Sequence, residues 1–583
     1  MAIGGIDKQE TVRLRKRQAR QFERSMKGVK KFCSTQSSNI VSTALDEDET
    51  HINFPKTNLA TETLLTNLSF TITPTTTFAN RNLLQLPTLA KVCDRYRLST
   101  RSAAAVASAV LVDVSLDSNE DSTLVIDKNK VHRAVSKARK NIFQNISELS
   151  LNSIYFDGRK DKTLVNKKIG VRYHRKVVLE EHISILSEPN SIFLGHTSPC
   201  RGTAKEIFTS IITLLKNRNY NLNDVICVGC DGTATNTGWK GGVIKYLEEY
   251  LDRPLQWCVC MLHANELPFR HLFLALDGCS SGPREYSGPI GKQLATCENK
   301  TTLLFQPLTG NLPDLTKNVV NELSTDQKYL NEICQAVLTG CCSPELANRQ
   351  PGNLSHSRWL TCANRLLRLY VSTPDPSESL QILVEYVVKV YAPIWFSIKQ
   401  KTSFKDGAKH IFNLILFSRY LPTNLRTIVD SVIERNAFYA HPENLLVSML
   451  FDDRDYIREL ACRRIIKARN TDNGFKQRIF KTPKLNFSAK DYTEIISWQE
   501  CQVTVPPVLR DVTNDELKKM AKDGSLKIVD FPCHTQSVER CVKLITEASQ
   551  SVTNVNSKDG FVRTTLQSRA EFPIFGHKNK LKF

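Results

Sequence analysis

Three acids stand where a carboxylate can do more than solvate a surface. Asp231 closes the apolar run 225–230, Asp157 closes the short expected strand 152–156, and Glu539 opens an amphipathic segment late in the chain. In open α/β sheets, ligands bind just beyond the carboxyl ends of the strands, where a carboxylate is rigid and faces solvent. Mg²⁺ or Mn²⁺ prefers oxygen ligands and keeps several waters, so two or three such groups suffice. Two ions about 3.5–4 Å apart activate water or a 3′-hydroxyl and stabilise the leaving oxygen of a phosphoryl transfer. For Asp231 the plainer alternative is a cap for the helix that follows.

These residues need a scaffold, and the apolar pattern supplies one. Strands are expected at 152–156, 177–186, 191–195, 225–230 and 256–259, and helices at 203–216, 239–250 and 264–276. Val178, Glu180, His182, Ser184 and Leu186 share one face of the second strand. The order is β-β-β-α-β-α-β-α, with Asp157 ending the first strand and Asp231 the fourth. This predicts an α/β core with a mixed five-stranded sheet. A Gly/Ser/Pro-rich break follows at 278–291, and from 292 to about 510 the periodicity is helical: 358–370, 378–398, 408–420, 425–435 and 454–468. That is more helix than one sheet can carry, so 278–520 is expected as an all-α insertion. The core then returns over 521–555 with the third acid, and 556–583 is expected as a loose basic tail.

The N-terminal part reads differently. Residues 1–80 form a basic arm and a Thr/Ser/Asn-rich linker. Arg13, Arg15, Lys16 and Arg17 belong to a basic cluster that suits a nuclear-import signal, a phosphate-binding arm or a solvated basic helix. Region 81–150 is expected to be helical. Two short helices on either side of Ser99, which would cap the second, resemble a helix-turn-helix, with Arg101 as a candidate DNA contact; plain packing is the alternative.

The formal charge of +20, from 79 Lys+Arg against 59 Asp+Glu, points to a polyanion, most simply nucleic acid. The 17 Cys at irregular spacing read as reduced intracellular thiols. The longest small-apolar stretch, 103–112, is short of the roughly 20 residues a membrane span needs. A nuclear or cytoplasmic protein is expected, with DNA as partner and no membrane.

Taken together, these features resemble transposases of the hAT superfamily, in the DDE, ribonuclease-H-like class. Asp157 ends the first strand. Asp231 is followed by Asn236, as in the family's Asp-Asn-Ala-x-Asn. Cys260-Met-Leu-His263 matches its Cys-x-x-His, Arg358-Trp359-Leu360-Thr361 its Arg-Trp-x-Ser/Thr, and Glu539-Arg540 its C-terminal Glu-Arg. The resemblance covers about 151–550. It departs where Gly158-Arg159-Lys160-Asp161 stands in place of Trp-Thr and where Cys541-Val542-Lys543 follows Glu539, which leaves Glu547 as an alternative third acid. It departs also in showing no zinc-finger pattern at the N-terminus, where many relatives carry one; residues 83–145 would do its work, or the DNA-binding part is missing from this sequence.

The resemblance implies a ribonuclease-H-like core, Mg²⁺ or Mn²⁺ on Asp157, Asp231 and Glu539, and a homo-oligomer cutting and joining DNA in the nucleus. It implies accessory roles for Cys260, His263 and Asn236. Arg358 would meet phosphate, and Trp359 would stack on an extruded base; as a plain sequence feature, Trp359 reads as helical core. A domesticated, inactive DNA-binding protein and a ribonuclease-H-like nuclease are the alternatives. Cys227-x-x-Cys230 with Cys260-x-x-His263 has zinc-ligand types, but residues three apart on a strand face opposite ways, so zinc is not expected.

Overall fold

A computed structural model describes residues 85–113, 126–142, 150–282, 285–355, 359–471, 478–503, 505–550 and 552–571. The basic cluster with Arg13, Arg15, Lys16 and Arg17, and also Arg358, lies outside the described residues.

Five strands form one mixed sheet in the order β3-β2-β1-β4-β5. β1 (Ser153–Ile169), β2 (Arg172–Ser187) and β3 (Ile192–Thr197) are antiparallel neighbours; β4 (Cys227–Cys230) and β5 (Gln256–Val259) run parallel to β1. Parallel neighbours need crossovers, and α4 (Ala204–Asn217) and α5 (Val243–Leu251) provide them. Before the sheet come α1 (Pro87–Arg95), α2 (Thr100–Asp113) and α3 (Lys128–Asn141). Strand alternation assigns each side chain to a layer. Ile154, Phe156, Val228, Cys230 and Trp257 pack with Ile207, Ile211, Val243 and Leu247 of the crossover helices. Tyr155, Leu186, Cys227 and Cys258 face the opposite side.

β1 and β2 are much longer than their apolar patterns predict. Asp157 does not end β1: the strand runs on to Ile169. β1 pairs with β4 only over Ser153–Tyr155, and β2 with β3 only from Ile183 onward. From residue 158 to the turn and back, the two strands pair with each other and, among the described residues, with no third strand, as a two-stranded ribbon, while the helix Gln536–Ser549 packs on one face of their base. Gly170 closes it with φ +61°, beside Val171, in a two-residue loop of the type that places Gly first.

After α6 (Met261–Asp277) the chain is chiefly helical. The principal helices are α7 (Thr325–Thr339), α8 (Trp359–Tyr370), α9 (Glu378–Gln400), α10 (Gly407–Phe417), α11 (Thr423–Asn436), α12 (Pro442–Leu450), α13 (Asp455–Asn470) and α14 (Asn514–Asp523). α9 is long and apolar enough to cross a membrane, but 72% of its most apolar window is buried inside the protein, as in a core helix. The helical region shares one continuous apolar cluster with the second face of the sheet.

The chain returns to the sheet's helical face through 531–533, which bridge to 402–404 without joining the sheet. Phe404 N donates to Phe531 O (2.8 Å), and Cys533 N donates to Thr402 O (2.7 Å). On the other side, Met261 N donates to Cys533 O (2.8 Å) and Tyr155 Oη to Pro532 O (2.8 Å). This clamp delivers α15 (Gln536–Ser549) onto β1 and β2. Residues 556–571 are not a loose tail. They belong to α16 (Val555–Glu571), whose Asp559 is buried against His196 and Arg218, and whose Thr564 donates to Asp94 of α1. Ser99 does cap α2, accepting from Ser102 N at 3.0 Å.

Candidate active site

The register places the first two acids side by side. Tyr155 of β1 is level with Gly229 of β4 in a parallel pair. Asp157 and Asp231 each lie two residues further on, hence level with each other, on strands about 4.8 Å apart and directed to one face. That face is the one α15 covers, and Glu539 sits in the first turn of α15. Asp157 and Asp231 are half-buried and Glu539 is exposed.

The charges meet at Asp157. Burial, then Glu539, then Asp231 push its carboxyl from the usual 3.8 up to about 8, against a hydrogen bond from Gly158 N (2.8 Å). Asp231 is held by its own loop. Its Oδ1 accepts from Thr233 N (3.2 Å), Thr233 Oγ1 (2.8 Å) and Asn236 Nδ2 (2.6 Å). No hydrogen bond among the described residues engages Oδ2. One oxygen therefore orders the loop, and the other remains as a donor atom. Thr233, not Asp231, holds the N-cap position of the short turn Ala234–Thr237, without a capping bond from its side chain. On α15, Thr535 Oγ1 donates to Glu539 Oε1 (2.9 Å).

Around the acids lie the accessory residues. His263 is in the first turn of α6, and burial holds its pKa down in spite of Asp231, so it is neutral near pH 7. A methyl placed on Gly232 would lie 3.5 Å from the His263 ring and 3.4 Å from Asn436 Oδ1. Cys260 is buried; burial and then Glu539 push its thiol up to about 12, so it stays protonated beneath the site. Asn436 of α11 escaped the sequence reading. So did Lys399 of α9, whose Nζ donates to Gln536 at 2.9 Å and whose pKa burial lowers to about 8. No local signal marks either residue, because both reach the site from the helical insertion.

Other expected residues lie elsewhere. Trp359 cannot stack on an extruded base as it stands. Its indole is 2% exposed, edge-on to Phe269, Phe273 and Tyr286, because these rings and the helix it begins bury it in the insertion core. Glu547 is two turns along α15 and faces Arg97 at 3.9 Å, so Glu539 is the acid that acts on Asp157. Arg101 is exposed in the first turn of α2. Cys227 and Cys230 face opposite sides of the sheet, and Cys227 contacts Cys258 instead (3.4 Å between sulfurs).

An all-oxygen donor set with a raised carboxyl suits a hard divalent cation, which would replace the proton Asp157 holds. Among the described residues, no three of His, Cys, Asp and Glu already stand in ligand geometry. No protein-family model matches the chain, and no curated protein matches its sequence.

Proposed function

We propose that the protein is a DNA-processing enzyme of the transposase kind, built on a ribonuclease-H-like core. The observation that carries this is the convergence of acids from β1, the end of β4 and α15 on one face of the sheet, where two of them raise the third. The sheet order, with three antiparallel strands followed by two parallel ones, supports the same reading. Asp157, Asp231 Oδ2 and Glu539 would hold Mg²⁺ or Mn²⁺. Bound there, such ions activate a water or 3′-hydroxyl and stabilise the leaving oxygen. Asn236 and Thr233 keep Asp231 oriented, and Thr535 does the same for Glu539. Neutral His263 offers a hydrogen-bond donor beside the acids without adding charge. A homo-oligomer and a nuclear location come with this reading through the resemblance.

Duplex DNA incubated with Mg²⁺ or Mn²⁺ tests it. Wild type should cut and Asp231→Asn should not, and a product joined to a second duplex separates a transposase from a nuclease. A second reading, a DNA binder that keeps the fold without the chemistry, is favoured by the burial of Trp359 in the core. Equal DNA binding by wild type and Asp231→Asn, with no cutting by either, would establish that second reading.

A further inference from the structure

The ribbon that leaves the sheet past Asp157 has no part in the carboxylate chemistry, yet it is strongly basic. Residues 158–180 carry eight Lys or Arg against two acids, Asp161 and Glu180. Every residue from 166 to 177 is exposed, and that stretch holds five Lys or Arg and no acid.

Register separates its two faces. Asp161 and Thr163 lie on the Asp157 side; Asp161 accepts from Thr546 of α15, and Thr163 is fully buried. The opposite face carries Lys160, Lys162, Lys168, Tyr173, Arg175 and Leu179. These six residues are exposed; on the same face Leu164 and Glu181 are half-buried and Asn166 contacts Thr553. α15 supports the Asp157 side of the ribbon's base and leaves the other side uncovered, and lysines on an edge serve to repel other strands. That purpose does not account for Val171 at 93%, Tyr173 at 70% and Leu179 at 60% exposure.

Dimensions narrow the partner. Residues 158–169 span roughly 40 Å at about 3.3 Å each, a little more than one turn of B-DNA at about 34 Å. The B-form major groove admits a two-stranded ribbon, whereas the A-form RNA major groove is too narrow for side chains to read. We propose that the ribbon is a clamp for double-stranded DNA. It lies along a groove of the duplex flanking the site. Its lysines and arginines meet phosphates, and Tyr173 and Val171 contact sugars or base edges. The proposal rests on reading the site as one that acts on DNA.

The test uses the full chain, a labelled duplex longer than one helical turn, and a salt series. One variant carries Lys160→Gln, Lys162→Gln, Lys168→Gln and Arg175→Gln, all solvent-exposed on the open face of the ribbon. A control loses the same charge through Lys518→Gln, Lys519→Gln, Lys522→Gln and Lys527→Gln, exposed on and beyond α14. Each lost phosphate contact lowers the slope of log K against log salt by about 0.9. The ribbon variant should therefore lose about 3–4 from the slope and at least about tenfold in affinity, and the control should keep the wild-type slope.

An unchanged slope in the ribbon variant, or an equal loss in the control, would overturn the proposal. So would ribbon-dependent binding that favours an RNA duplex or phosphatidylserine vesicles over DNA. A protein that grips DNA through the ribbon but never cuts it with Mg²⁺ would sink the catalytic reading and leave the clamp standing. A protein that does not bind the duplex at all would sink both.

Discussion

Asp157→Asn should make the protein more stable, by an amount that depends on pH and on divalent cations. The folded carboxyl titrates near 8, against 3.8 for an unperturbed aspartate. The folded chain therefore keeps a proton that the unfolded chain releases, and stability falls as pH rises from about 4 to about 8. Roughly four pH units at about 1.4 kcal/mol each set a ceiling near 6 kcal/mol. Water reaches this half-buried group, so about 2 kcal/mol is the working expectation at pH 8. Asparagine keeps the acceptor for Gly158 N and carries no charge.

At about 2 °C per kcal/mol for a long chain, the variant should melt roughly 4 °C above wild type at pH 8 in EDTA, with the gap closing near pH 4. Mg²⁺ at about ten times its Kd should return about 1.4 kcal/mol to wild type and clearly less to the variant. Scanning fluorimetry or calorimetry across pH, with and without Mg²⁺, reads all of this. Parallel pH profiles for the two proteins, or equal responses to Mg²⁺, would refute the idea that three acids share one space.

Three further outcomes follow from the same geometry. Asn236→Ala removes a short bond to Asp231 Oδ1 and should cost about 1 kcal/mol of stability; calorimetric titration should show weaker Mn²⁺ binding with the fold intact. Trp359→Ala should cost about 3–5 kcal/mol in chemical denaturation, while the folded fraction keeps its affinity for DNA. A methyl on Gly229 would sit 2.2 Å from the Tyr155 ring, so Gly229→Ala should cost about 1–3 kcal/mol. In a background of Tyr155→Ala the added cost should largely disappear, which a double-mutant cycle measures.

Much of the frame was legible in the residues. β5 was expected where it stands, and the buried run before Asp231 marked β4 because a strand covered on both faces reads as continuous apolar sequence. That Asp157 and Asp231 sit on neighbouring strands was expected only through the resemblance; the register that sets them level is a property of the fold. The ribbon was invisible for the opposite reason. Solvent on its far half removes the alternation that reveals a strand, leaving charged residues that look like loop. α16 was missed because its buried contacts are mostly polar, Asp559 and Thr564 among them, so its apolar stripe is weak. Trp359 shows the limit of motif reading: its neighbours fix a role in packing that the short motif alone does not disclose. Asn436 and Lys399 depend on how some two hundred and fifty residues of insertion fold, which no local pattern encodes.

The clamp around Pro532 also sets a schedule for synthesis. Tyr155 waits for a partner 377 residues downstream, which at about 5–20 residues per second takes roughly 20–75 s to emerge. Until then a nascent chain holds two of its acids and lacks the third. A prematurely terminated product lacking α15 would carry the ribbon and the sheet but no complete carboxylate set. On the proposed reading, truncation would separate DNA binding through the ribbon from the chemistry that needs all three acids.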